Sequence, residues 1–337
     1  MQPVLVIGFQ KLIISRAPLR IPIAGGGTDL PSYFLGRGTS WISVAINKYC
    51  YTQINQTFDK HFLLKYSLLE KVMEIEEIKH NLIRESLTLL DVNSPLELTF
   101  TADLPGGTGL GSSSSFLVSL LQGLYSYKKM STSAEMIAQA STQIEMINLN
   151  EPIGLQDQYI SALGGFKEFH VHPSGDLKWN DLLIPKDTLM FLQNNLLLYY
   201  TGYTRKSKTI LQEQKSLTME KDPRVIENLD FVKSQVELIK STILDGNLDK
   251  LGFHFNEHWN RKKMRSTNMS NVHIDKFYNF ALSNGALGGK LIGAGGGGFV
   301  LLVSENRTEL QEKLKITNFR EIPFEFISTG AQTIYED

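Results

Sequence analysis

Residues 104–115 read LPGGTGLGSSSS, and the context of this stretch decides the fold class. Ahead of it, residues 96–102 (LELTFTA) form a short strand pattern. Behind it, Phe116/Leu117, Leu120/Leu121 and Leu124/Tyr125 recur every four residues, as on a helix with one apolar face. The stretch is therefore a strand–loop–helix junction. Its glycines, Gly106, Gly107, Gly109 and Gly111, permit positive φ and close backbone approach. The helix that follows offers unpaired N–H groups and its dipole to an anion. Ser112, Ser113, Ser114 and Ser115 add hydroxyl donors and a metal-ligating oxygen, while Pro105, Thr108 and Leu110 complete the loop. That combination suits a polyphosphate. It is not a Walker loop, because Ser112 stands where that motif requires lysine. A tight turn with serine capping is the plainer alternative. On the phosphate reading, a branched side chain at Gly109 is expected to block the nucleotide.

Outward from this junction, strand texture covers residues 1–23 and 41–58, and again 166–172 and 196–200. Ile137, Ala140, Ile144 and Ile147 fall on one face of a second helix, and longer helices are expected over 225–244 and 248–265. A glycine run at 293–298 contains GxGxxG, but its neighbours are a helix around 275–282 before and a strand at 299–303 after. A dinucleotide fingerprint needs the reverse order. Strands and helices alternate in both halves, which predicts an α+β protein with mixed or antiparallel sheets. A change of texture at Pro185 predicts domains over 1–185 and 186–337.

The 337 residues are 42% hydrophobic and 20% charged, enough apolar material for a substantial core. A net charge of -1 supplies no global field for nucleic acid or an anionic membrane. Cys50 is the only cysteine, so an intrachain disulfide is excluded and a reducing cytoplasm is the expected setting. No apolar run reaches the roughly 20 residues needed to span a bilayer.

Three segments together resemble the GHMP kinases: Arg16-Ala17-Pro18-Leu19-Arg20 followed by Gly25-Gly26-Gly27-Thr28-Asp29; LPGGTGLGSSSS; and KLIGAGGGGF at 290–299. Within that group, AGGGTDLP and GLQDQY are most similar to bacterial heptose 7-phosphate kinases. The resemblance implies a ribosomal-protein-S5-type N-terminal domain, a ferredoxin-like C-terminal domain and a site between them. It implies Asp157 as catalytic carboxylate, with Arg20 beside it as the fixed cation. ATP would lie on residues 105–114, from Pro105 to Ser114, with Mg2+ on Ser113 and Glu145. Gly26, Gly27, Thr28, Asp29, Gly295, Gly296 and Gly297 would face a sugar phosphate, a homodimer being left open. Many heptose kinases carry lysine where this chain has Leu155, and galactokinases place Glu-His at the positions of Gly26 and Gly27. Arg205-Lys206 with Lys208, and Arg261-Lys262-Lys263 with Arg265, are the cation clusters that could meet the sugar's distal phosphate, Arg205 being the chosen candidate.

Residue by residue, plainer readings compete. Asp157 could cap a short helix, Arg20 could end a strand at the surface, Asp29 could sit in a turn, and Glu145 could be a solvated helical glutamate. Two other functions are also open. His254-Phe255-Asn256-Glu257-His258 fits the HxxEH pattern of a zinc peptidase, though that leaves three glycine motifs unexplained. A non-catalytic sugar sensor on the same fold would have no need to keep Asp157 and Arg20 together.

Overall fold

The computed structural model describes residues 12–203, 207–266 and 268–337. Among them, twelve strands form two sheets. Strands β1 (Ile13–Ala24), β2 (Thr39–Gln56), β3 (Phe62–Lys65), β4 (Leu69–Val72), β5 (Leu96–Ala102), β6 (Phe166–Val171) and β7 (Leu177–Asp181) lie in the first half. Strands β8 (Leu196–Tyr200), β9 (Gly288–Leu291), β10 (Phe299–Val303), β11 (Arg320–Glu321) and β12 (Gln332–Glu336) follow. The first sheet runs β12-β1-β2-β5-β3-β4, with β6 paired to the other part of β2 and β7 to β6. The second runs β11-β8-β10-β9 and is antiparallel throughout. The apolar strand expected at the start of the chain lies outside the described residues as far as residue 11.

The strand signals at 96–102, 196–200 and 299–303 match β5, β8 and β10, and the helix after the glycine loop is Ser112–Tyr127. Two details differ. Residues 41–58 form most of one long strand, β2, which serves both halves of the first sheet. Residues 288–291 were not expected as a strand, because two glycines and a lysine mask the pattern; β9 and β10 form a hairpin around the third glycine run. The division expected at Pro185 is also crossed: β12 returns to the first sheet and pairs with β1.

Alternation explains how β8 and β10 tie the halves together. Leu196, Leu198, Phe299, Leu301 and Val303 face a core shared with Leu19, Ile21, Ile23, Ile42 and Val44 of the first sheet. Leu197, Tyr199, Val300 and Leu302 face the opposite way, into a core with Trp259, Ile274 and Phe277. Strands buried on both faces read as unbroken apolar runs, as LLLYY and FVLLV do. In β1, Pro18 and Pro22 sit at register shifts, where a missing N–H is tolerated. Arg20 lies between those irregularities and is delivered to the cleft between the sheets.

Candidate active site

Gly111, at φ 79°, ends the glycine loop and begins the Ser112–Tyr127 helix without a side-chain cap. The serines are therefore free for other partners. Ser115 Oγ donates to the Pro18 carbonyl (2.8 Å), fastening the helix to β1. Ser113 Oγ and Ser114 Oγ turn to Glu145, at 3.3 and 2.8 Å. Ser112 Oγ is buried without a partner and lines the cleft.

This cleft, about 610 Å³, is walled by both sheets and their helices. Arg20 is 5% exposed and fixes the carboxylate of Asp157: Nε donates to Oδ1 at 2.8 Å, and Nη2 stands 2.6 Å from the same oxygen. Arg20 Nη1 also donates to the Gly109 carbonyl (2.6 Å), so one guanidinium joins the carboxylate to the glycine loop. Both contacts to Asp157 use Oδ1; Oδ2 lies on the side of Gly111, 3.2 Å from where a Cβ on that glycine would stand, and both residues line the cleft. Asp157 occupies the first turn of the Gln156–Leu163 helix, whose N-cap is Leu155; it is neither a loop residue nor the cap.

Asp29 lies beside this pair. Gly27 N donates to its Oδ1 (3.1 Å) and Gln156 N to its Oδ2 (3.2 Å). Burial, and then the facing Asp157, raise its carboxyl above the ordinary range. Thr28 is turned away, its hydroxyl bonded to the Gly25 carbonyl and to Thr39 Oγ1.

Glu145 is 2% exposed, not solvated. It sits in a π turn, Gln143–Asn148, which follows the Ala134–Thr142 helix. The wider turn shifts the phase of the side chains, bringing Glu145 inward and leaving Ile147, expected on the apolar face, 74% exposed. Burial pushes the Glu145 carboxyl up to about 7, although Ser114, Gln158 and Ser113 donate to it. No lysine or arginine among the described residues pairs with it. A buried carboxylate flanked by hydroxyls and lacking a cation suits a hard divalent ion that keeps water and phosphate oxygens as its other ligands.

The third glycine run meets the first loop back to back. A Cβ on Gly109 would stand 2.8 Å from the Ile292 carbonyl oxygen, and one on Gly293 would stand 2.4 Å from Gly109 Cα. Gly109→Val would therefore separate the two loops, so it cannot isolate phosphate approach from folding as expected from sequence. Of the third run, Gly293 and Ala294 line the cleft, while Gly295 abuts Met269 and Gly297 abuts the Tyr203 carbonyl. Gly296 N donates to the Met269 carbonyl (2.9 Å). Gly295, Gly296 and Gly297 thus pack the loop and do not form the cleft wall, a correction to the sugar-facing role expected of them.

Of the cations, Arg205 and Lys206 lie outside the described residues, as does the side chain of Lys208. Lys262 and Arg265 are buried against the cleft, whereas Arg261 is exposed. Sequence reading gave no role in this cleft to Lys290 or His258, which it named only within other motifs, nor to Gln214 and the apolar end of the cleft around Tyr66 and His80. One signal was available: residues 258, 262 and 265 follow helical spacing and share a face. His258 is surrounded by Lys290, Arg265 and Lys262, which with burial push its pKa well down. His254 bonds Gln235 (2.9 Å). A cluster of cations around one histidine repels a zinc ion, against the peptidase reading.

The family model for the GHMP kinases N terminal domain matches residues 69–165, and that for GHMP kinases C terminal matches 238–318, together more than half of the chain. A D-glycero-alpha-D-manno-heptose 7-phosphate kinase of Campylobacter jejuni is 27% identical over 86% of this chain and 88% of its own length. An L-fucokinase/L-fucose-1-P guanylyltransferase of Bacteroides fragilis is 24% identical over 90% of this chain and 36% of its own. The crystal structure of a D-glycero-D-manno-heptose 1-phosphate kinase from Bacteroides thetaiotaomicron superposes with TM-score 0.79, covering 95% of this chain and 98% of that one at 23% identity. The chain belongs to the GHMP kinase family and has its two-domain fold. It is a phosphotransferase acting on a hydroxyl group, in a family whose donor is ATP. Among the described residues, no helix is long and apolar enough to cross a membrane.

Proposed function

We propose that the chain moves the γ-phosphoryl group of ATP to the anomeric hydroxyl of a heptose 7-phosphate, giving the 1,7-bisphosphate. The observation that carries the chemistry is the Arg20–Asp157 pair in the cleft wall, with Oδ1 held by two guanidinium nitrogens. The sugar hydroxyl gives its proton to Asp157 Oδ2 as its oxygen attacks the γ-phosphorus, and the bond to ADP breaks. Phosphoryl transfer rests mainly on positioning and charge neutralisation. The uncapped helix start and the loop N–H groups would receive the phosphates, and Asp29 would orient the sugar hydroxyls. Ser113 and Glu145 would hold magnesium, which neutralises phosphate charge when bound. The division near Pro185 is read as nucleotide-binding and acceptor-binding halves, excepting β12. Buried Cys50 fits a reducing cytoplasm.

The heptose assignment is supported by the Campylobacter relative and by Gly26 and Gly27, which bring neither a carboxylate nor bulk to the acceptor side. Removing the distal phosphate from the substrate is expected to lower kcat/KM at least tenfold, since a charged hydrogen bond contributes about 1.5–3 kcal/mol. Equal efficiency on fucose or galactose would remove the heptose phosphate and leave the sugar-kinase reading.

The loop is tested better at Gly106 than at Gly109. A Cβ on Gly106 has no atom within 4 Å and its φ is not positive, so the fold accepts a side chain there. Gly106→Val is expected to raise KM for ATP by roughly tenfold or more, from the loss of one or two backbone contacts to phosphate oxygens, with an unchanged melting temperature. Unaltered ATP binding would show that phosphates do not approach residue 106, and would confine their contacts to Gly107, Gly109 and Gly111, which line the cleft.

A further inference from the structure

Three basic side chains stand in the cleft with no anionic partner among the described residues. Lys262, Arg265 and Lys290 are 7%, 9% and 3% exposed. Lys262 Nζ donates to the carbonyls of Leu291 (3.2 Å) and Gly293, and Lys290 Nζ to that of Ile23 (2.5 Å). Arg265 Nε donates to Asn228 Oδ1 (2.5 Å), and its Nη2 is buried with no hydrogen-bond partner among the described residues. None of the three pairs with a carboxylate among the described residues. A buried charge ordinarily takes an ion-pair partner, and here the groups line an open cleft instead.

Their positions differ. The Arg20–Asp157 pair touches the glycine loop at Gly109 and, through Gln156, stands next to Asp29. Arg265 belongs to the Asp29 side. Its Nη1 lies 2.9 Å from where a Cβ on Gly27 would stand, and Gly27 N donates to Asp29 Oδ1. Any side chain at position 27 would displace this guanidinium, so the bare glycine and the buried arginine go together. Lys262 follows on the same helical face, against the hairpin that carries Gly293.

We propose that Arg265, with Lys262 beside it, is the seat for a phosphate monoester carried by the acceptor at the end remote from the attacked hydroxyl. This rests on the sugar-phosphate reading above and assigns the residues that enforce it. Nη1 and Nη2 offer a planar fork to two phosphate oxygens, a geometry that lysine cannot supply. Nearby His258 is held neutral by burial and by Lys290, Arg265 and Lys262, so it presents an imidazole and no further charge. Burial lowers the pKa of Arg265 to about 10 and, with Arg20, that of Lys290 to about 7; a dianion would relieve both. An acceptor without the phosphate leaves the guanidinium unpaired, and discrimination follows from that cost.

The test measures kcat/KM for heptose 7-phosphate and for the dephosphorylated heptose, with KM for ATP in parallel. Arg265→Met removes the fork. Gln214→Glu is the second variant: Gln214 Nε2 donates to the Gly27 carbonyl (2.9 Å) on the side of Gly27 where Arg265 Nη1 lies, and a carboxylate there would give up that bond and compete with phosphate for the guanidinium. The ratio of the two kcat/KM values is expected to fall about 10- to 100-fold in Arg265→Met and at least about tenfold in Gln214→Glu, without KM for ATP following. A ratio retained in both variants overturns the seat, as does a loss that appears in KM for ATP, which would assign these cations to the nucleotide. A wild-type ratio near one overturns the sugar-phosphate reading itself, and the seat with it.

Discussion

Asp157→Asn is expected to lower kcat by at least about 100-fold, the lower end of what a positioned general base contributes, while nucleotide binding survives. The amide keeps the size of the carboxylate and can still accept from Arg20, but it cannot take the hydroxyl proton. Asp157→Ala should fall as far, and it also leaves Arg20 without the anion that orients it. The check is single-turnover kinetics beside an independent measurement of nucleotide affinity. Near-normal turnover in both variants would remove Asp157 from the mechanism.

The second large effect concerns Arg20. Arg20→Ala is expected to lower kcat/KM by roughly 100-fold or more, because it removes charge stabilisation and positioning together. Arg20→Lys keeps the charge but loses the second nitrogen on Oδ1 and the Nη1 bond to Gly109, and it should show a smaller loss. Near-normal kcat/KM in Arg20→Ala would remove Arg20 from the mechanism.

What sequence conveyed here followed period and punctuation. The loop at 104–115 was legible because glycines interrupt a clear change from strand to helix spacing, and β8 and β10 because their apolar runs are unbroken. Glu145 was misleading for a geometric reason: it was read on an α-helical wheel, while the chain takes a π turn at that point. Lys262 and Arg265 were legible only as part of a basic cluster, behind Arg205 as the chosen candidate, since nothing local says that this face meets another sheet. The return of β12 to β1 was hidden for the same reason. It is a contact between the two ends of the described chain, with Ile13 opposite Glu336.

Transfer of a phosphoryl group to a sugar hydroxyl in the Asp157 cleft can be followed by incubating the protein with magnesium-ATP and heptose 7-phosphate, with neutral heptose, fucose and galactose alongside, and recording ADP release together with phosphorus NMR of the products. Heptose 7-phosphate is expected to give the fastest release, with one new phosphate monoester on the anomeric carbon for each ADP formed, and Asp157→Asn to abolish both signals together. Sugar binding with no ADP release from any of these acceptors, or ADP release with inorganic phosphate as the only new product, would contradict that transfer.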